Sequence, residues 1–400
     1  MERKINRRQF LRTSAGITAI GAIGCAEMIT ANHTDSRQVT NPVRYEERKL
    51  IIILFGGGTR SSESIDDPEH RYILRLWNDM VPKGTLFTNM RVEHKVVHPN
   101  SAGSIMTGHW EWDDIEWTNP VAHPTIFEIY RKARHTPDTA AWAFVYASIL
   151  AKTGESSASD YGLKYAANVI EPPTIPRSAA EEIDKKLREA ANSGSTKEEI
   201  KTAEKCAEIA RSTSQIQLNG LRSEKARDFL NSRYSQWKQD KSTTSHDVFL
   251  ADAAISCMHT FAPDVLAVDF GEIDCAHYGS WSRYVEAIHR TDELTWRVWQ
   301  AVEQIEQYKG KTLLLVLPDH GRELDHKDQL GFIHHSNFYN NEGADEGCRR
   351  VWMLALGAGV KSGLQIDKPV PITTAAATGL EYLGLNKSSG AEKSVLNLIT

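Results

Sequence analysis

Leu50-Ile51-Ile52-Ile53-Leu54-Phe55 is apolar without a break and ends at Gly56-Gly57-Gly58. A short β-branched run with no polar face predicts a central strand of a parallel sheet, buried on both sides. Comparable runs are Ala141 to Ala147, Asp264 to Phe270, Thr312 to Leu317 and Val351 to Leu356. Between them the apolar positions take helical spacing, over Pro68 to Val81, Thr125 to Ala133, Val248 to Phe261 and Ser282 to Gln307. Strands alternating with helices predict an α/β fold. Its central sheet is doubly wound, mostly parallel and flanked by helices, with functional loops beyond the strands' carboxyl ends.

The stretch from about 151 to 245 breaks this alternation. It carries Pro172-Pro173 and Pro176, then Ala-, Glu- and Lys-rich helical spacing over Ser178 to Ser212 and again over Gln215 to Gln239. This predicts a helical insertion between two strands, either a cap over the site or a solvated flank. Ahead of the first strand, Asn32 to Glu47 is polar and reads as a linker. Residues 48–400 are thus expected to form the α/β domain, and residues 1–47 an address plus linker.

Arg7-Arg8-Gln9-Phe10-Leu11-Arg12 resembles a twin-arginine export motif, and the weakly apolar Thr13 to Gly24 behind it is too short to span a bilayer. Ala22-Ile23-Gly24-Cys25 is similar to a lipoprotein cleavage box, which makes Cys25 a candidate for lipidation and membrane attachment. The expected location is the periplasm or beyond the cytoplasmic membrane. Across 400 residues, 47 Lys+Arg stand against 52 Asp+Glu, a net charge of −5, which leaves no broad basic face for nucleic acid. The five cysteines form no C-x-x-C, so a zinc knuckle is excluded by spacing.

Two constellations follow predicted strands. In Asp269-Phe270-Gly271-Glu272-Ile273-Asp274-Cys275-Ala276-His277, Asp274 and His277 are three apart, close enough to converge on one ion from a turn. In Leu317-Pro318-Asp319-His320-Gly321, an apolar strand delivers an adjacent carboxylate and imidazole, and His334 and His335 come downstream, ahead of Ser336. Carboxylate oxygens and imidazole nitrogens are the usual ligands of Zn²⁺ and related ions.

Here the chain resembles the alkaline phosphatase superfamily of phosphatases, sulfatases, phosphodiesterases and phosphopentomutases. The resemblance rests on Asp274/His277, on Asp319-His320-Gly321 and on the later histidine, in that order. Gly84-Thr85-Leu86-Phe87-Thr88-Asn89 is similar to a segment ahead of the nucleophile in sulfatases, and Thr107-Gly108 to the end of the nucleophile helix. Thr107-Gly108-His109-Trp110-Glu111 also resembles a phosphopentomutase string. The likeness spans about residues 48 to 360 outside the insertion.

The resemblance implies two divalent ions beside a nucleophile that attacks phosphorus or sulfur in line. Zn²⁺ is expected first, with Ca²⁺, Mn²⁺ or Mg²⁺ as alternatives. Asp274, His277 and His335 would hold one ion; Asp319 and His320 would hold the other. His335 is preferred to His334 because Ser336 follows it.

Two departures stand out. No carboxylate ends the first strand, which runs into Gly56-Gly57-Gly58-Thr59-Arg60. The nucleophile's position is open as well. Counting back from Thr107-Gly108 lands on Val97 or His98, or, by the phosphopentomutase spacing, on Ile105 beside Ser104. Ser101, near a helix start, and Thr59 are the hydroxyl candidates, with Arg60 as a partner for substrate oxygens. Trp110, Trp112 and Trp117 either line a sugar-accepting cleft or pack in the core. The expected function is an exported hydrolase of phosphate or sulfate esters acting on a small-molecule or glycan substrate. The alternative is a non-catalytic relative that binds a glycan or anionic ligand at the cell surface.

Overall fold

The computed structural model describes residues 43–112, 119–172, 223–239, 245–324, 331–333, 335 and 345–400. The twin-arginine segment, Cys25, Trp117, His334, Ser336 and residues 173–222 of the insertion lie outside the described residues. Among the described residues, no helix is long and apolar enough to cross a membrane.

Among the described residues, nine strands form one sheet: β1 Lys49–Leu54, β2 Thr85–Arg91, β3 Ala141–Val145, β4 Asn168–Ile170, β5 Val265–Asp269, β6 Thr312–Leu317, β7 Arg350–Gly357, β8 Leu364–Ile366 and β9 Val370–Pro371. Their order is β4-β3-β5-β1-β6-β7-β2-β8, with β9 also against β2. All pairs are parallel except the two that β7 makes with β6 and β2. The longer helices are α1 His98–Thr107, α2 Ile126–Arg134, α3 Glu224–Gln239, α4 His246–Phe261, α5 Trp281–Gln304 and α6 Thr374–Tyr382. The result is an α/β fold with a mostly parallel central sheet flanked by helices.

The unbroken apolar runs have a direct cause. Along β1, Ile51, Ile53 and Phe55 join one core layer with α4 and α5, while Leu50, Ile52 and Leu54 join the other with α1, α2 and α6. From Leu50 onward both faces of the strand are dry, so these positions are apolar. Each such burial stabilises by roughly 1.5–3 kcal/mol.

Two segments differ from the sequence expectation. Residues 168–170, inside the stretch read as helical, form the edge strand β4, paired with β3. Over Pro68 to Val81 the helix is confined to a short stretch, α at 74–75 and π at Leu76–Met80, followed by a 3₁₀ turn at Val81–Lys83. His70 takes a left-handed conformation at φ 48°, which stops helix growth. The freed backbone N–H groups of Arg75 and Leu76 donate instead to the Asp292 carboxylate on α5, both at 2.8 Å.

Burial raises the Asp292 carboxyl to about 7. The folded chain therefore keeps a proton that the unfolded chain releases near its ordinary value of about 4. Stability from this group is present in full below that value and is lost as pH rises toward 7. Asp247 is likewise raised, by burial first and then by Glu272, and acts in the same direction. The melting temperature is expected to fall between pH 5 and pH 8, and Asp292→Asn to flatten the profile. Parallel profiles for parent and variant would refute the assignment.

Candidate metal centre

Leu54 pairs in register with both Asp269 of β5 and Leu317 of β6, so the carboxyl ends of the three central strands are level. Just beyond them lie the glycine loop 56–58, the 3₁₀ turn Glu272–Tyr278 and the Asp319-His320 pair. The amino end of α1, with Val97 as its N-cap and His98 as its first residue, enters the same space.

Asp274, His277 and His335 place one ligand atom each within 4.8 Å of one another. His277 Nε2 lies 3.3 Å from Asp274 Oδ1 and 2.9 Å from His335 Nε2. His335 Nδ1 is 3.0 Å from the Val96 carbonyl oxygen. A carbonyl can only accept, so Nδ1 carries the hydrogen and Nε2 presents its lone pair to the group. Burial foremost, then neighbouring positive charge, lowers His335 to about 2 and keeps it neutral. Burial would raise Asp274, but hydrogen bonding to His277 and the charges of His98 and Arg322 outweigh it and hold the carboxyl well below its usual range.

His98, Asp319 and His320 form a second such group, all three buried. His320 Nδ1 is 2.8 Å from the Gly321 carbonyl, which leaves its Nε2 lone pair facing Asp319 Oδ2 at 3.1 Å. His98 Nδ1 approaches the same oxygen at 2.9 Å, while its Nε2 lies 3.1 Å from Asp269 Oδ1. Among the described residues, Asp319 Oδ2 and His320 Nε2 are buried without a hydrogen-bond partner. Two imidazole nitrogens converging on one carboxylate oxygen in a dry space suit a shared cation, so the donor set fits divalent metal. Burial disfavours a charged His98 ring, but Asp319 and Asp269 outweigh it and raise its proton affinity. Burial would raise Asp319 as well, yet His320 and His98 bring it down to about 2. The rings of His320 and His335 are 4.7 Å apart, centroid to centroid, so the two groups adjoin.

Arg322 is fully buried beside them. Its Nη2 donates to the Gly57 carbonyl and, at 3.0 Å, to Asp274 Oδ1. Its Nε and Nη1 have no partner among the described residues.

The hydroxyl candidates are placed differently. Thr59 Oγ1 donates to the Phe55 carbonyl at 2.9 Å. Arg60 makes a bidentate pair with Glu63 at 2.6 and 2.7 Å and donates to the Glu323 carbonyl at 3.0 Å. Ser101 is buried in the first turn of α1, its hydroxyl without a partner among the described residues. Trp112 covers Gly103 of α1, and its Nε1 donates to the Asn119 carbonyl at 3.2 Å.

Three residues at the site are not among the sequence candidates: His98, Asp269 and Arg322. The count back from Thr107-Gly108 reaches His98, but a search for alcohols and thiols passes over it. Asp269 supplies a carboxylate next to the end of β1, where β1 itself has none.

Gly57 and Gly58 have φ of 80° and 75°, a region that side chains rarely adopt. A Cβ on Gly58 would lie 2.7 Å from His320 Cε1. Gly58→Ala is therefore expected to displace His320 and, if the group holds an ion, to weaken its binding at least about tenfold. The backbone itself would cost roughly 1–2 kcal/mol. Metal titration and melting temperature check this, and parental values for both would refute the close packing.

No family model and no curated protein sequence matches the chain. Solved structures match at fold level. Ps i-CgsB in complex with k-i-k-neocarrahexaose aligns with a TM-score of 0.56 and 13% identity, covering 87% of this chain and 74% of that one. The PsFucS1 sulfatase from Pseudoalteromonas sp. aligns with 0.51 and 12%, covering 84% and 68%. A mutant of the alkaline phosphatase PafA aligns with 0.51 and 11%, covering 88% and 99%. The chain has the fold of the alkaline phosphatase superfamily.

Proposed function

We propose that this chain is an exported, metal-dependent hydrolase of phosphate or sulfate esters, with a small molecule or a glycan as substrate. The observation that carries the reading is the pair of adjoining ligand groups at the strand ends, where histidine nitrogens face carboxylate oxygens, the Asp319 group buried and the Asp274 group partly open to solvent. Asp274, His277 and His335 would hold one divalent ion, and Asp319 and His320 a second. The mixed nitrogen and oxygen donors suit Zn²⁺ best. Bound ions of this kind neutralise charge on the transferred group and activate the attacking oxygen. Arg322 keeps Asp274 oriented and adds a fixed positive charge beside it. The sulfatase, phosphatase and oligosaccharide complex that share this fold support the choice of substrate class.

The test is metal analysis together with nitrophenyl phosphate, bis(nitrophenyl) phosphate and nitrophenyl sulfate. Two ions per chain and turnover of at least one ester are expected. Full metal loading with no turnover on any of the three would remove the hydrolase claim. It would select the second reading, ligand binding without chemistry, which the engaged Thr59 hydroxyl favours. Export is tested separately, by the mature N-terminus in a mass spectrum and by retention of an Arg7→Lys, Arg8→Lys variant in the cytoplasm.

A further inference from the structure

We propose that His98 is a metal ligand, the third of the group that contains Asp319 and His320, and that Asp269 is its positioning residue. This rests on the metal-dependent reading above and adds a ligand that the resemblance does not supply.

Three observations carry it. First, the His98 ring is clamped by its surroundings. Nε2 lies 3.1 Å from Asp269 Oδ1, and the Gly57 N–H donates to Nδ1 at 3.3 Å. The carboxylate at Nε2 can only accept, so Nε2 carries a hydrogen, and Nδ1 is the nitrogen turned to Asp319, where an ion would take the place of a proton and of the longer contact from Gly57. A histidine that donates one ring N–H to a carboxylate while the other nitrogen faces an ion is the usual arrangement of a metal-bound imidazole.

Second, His98 Nδ1 and His320 Nε2 converge on a single oxygen, Asp319 Oδ2, at 2.9 and 3.1 Å. The Asp319 carboxylate is held in turn through Oδ1 by the Gly58 N–H at 3.2 Å. Third, Asp319 and His320 alone supply two donors, and His98 brings a third ligand atom within 4.8 Å of both. His98 also stands at the first residue of α1, one of the two positions reached by the nucleophile count. There the chain presents an imidazole where relatives are expected to present a hydroxyl.

The experiment is calorimetric titration of the EDTA-stripped full chain with Zn²⁺. The parent is expected to bind two ions. His98→Ala should keep the ion at the Asp274 group and bind the other at least about 100-fold more weakly, and Asp269→Asn should weaken it about 10- to 100-fold. Two ions at parental affinity in His98→Ala overturn the proposal and leave the hydrolase reading standing; a parent that binds none removes both.

A measurement on the unmutated chain guards against a variant that fails to fold. In the Co²⁺-loaded protein, proton NMR should show three slowly exchanging, metal-shifted imidazole N–H signals. They belong to His98 on Asp269, His320 on Gly321 and His335 on Val96. Two such signals would overturn the assignment.

Discussion

Asp319→Asn is expected to lower kcat/KM for whichever ester the parent hydrolyses by about 1000-fold or more, roughly 4 kcal/mol of transition-state stabilisation. The substitution keeps the side chain's shape and can still accept from the Gly58 N–H through Oδ1, so the glycine loop should hold. What it removes is the negative charge on which His98 and His320 converge. Metal analysis should show one ion lost and one kept, because Asp274, His277 and His335 form a separate set. A variant within tenfold of the parent in kcat/KM, with both ions present, would take Asp319 out of the machinery. Asp319→Ala should act at least as strongly on activity and destabilise the fold as well, since the Gly58 N–H then loses a buried acceptor.

The strands that build the site were the most legible part of the sequence. β1, β5 and β6 are covered on both faces, so burial leaves an unbroken apolar run. Chemistry-bearing residues directly behind such runs must sit at carboxyl ends, which is how Asp274, His277, Asp319 and His320 come forward as candidates. β2 was hidden by its own pattern. Thr88, Asn89 and Arg91 are polar, and a register shift between Phe87 and Met90 breaks the alternation. The three-residue β4 carries too little pattern to separate it from a helical neighbourhood.

Asp269 and His98 were hidden for a different reason. The nearness of Asp269 to the end of β1 exists only through the pairing of Leu54 with Asp269, a contact across 215 residues of chain. His98 lies at the counted position, but its meaning depends on Asp269 and Asp319 flanking the ring. The same dependence governs Arg322, two residues past His320. Only the fold shows that its side chain turns inward to Asp274 rather than to water.

Glu128→Ala is expected to lower the unfolding free energy by about 3–5 kcal/mol, read as a shifted urea midpoint at unchanged slope. The carboxylate is fully buried and serves five donors. Oε2 accepts from the Thr125 N–H at 2.8 Å and its hydroxyl at 2.9 Å, completing a capping box at the start of α2. Oε1 accepts from the Ser156 N–H at 3.0 Å, the Ser156 hydroxyl at 2.9 Å and the Gly162 N–H at 2.7 Å. Alanine would strand the buried backbone N–H groups of Thr125 and Ser156, each worth roughly 1–3 kcal/mol when unmet, and the half-buried one of Gly162, and the effects need not add. Glu128→Gln should fall between parent and alanine, because its amide NH₂ opposes one set of these donors. The consequence for the site runs through packing: the turn Ser148–Gly154, just before Ser156, lies against α1, whose first residue is His98. If that turn only supports α1, ion affinity at 20 °C should stay within about threefold of the parent while stability drops. If affinity falls in step with stability, Glu128 helps set the position of the His98 ring itself, 30 residues away along the chain.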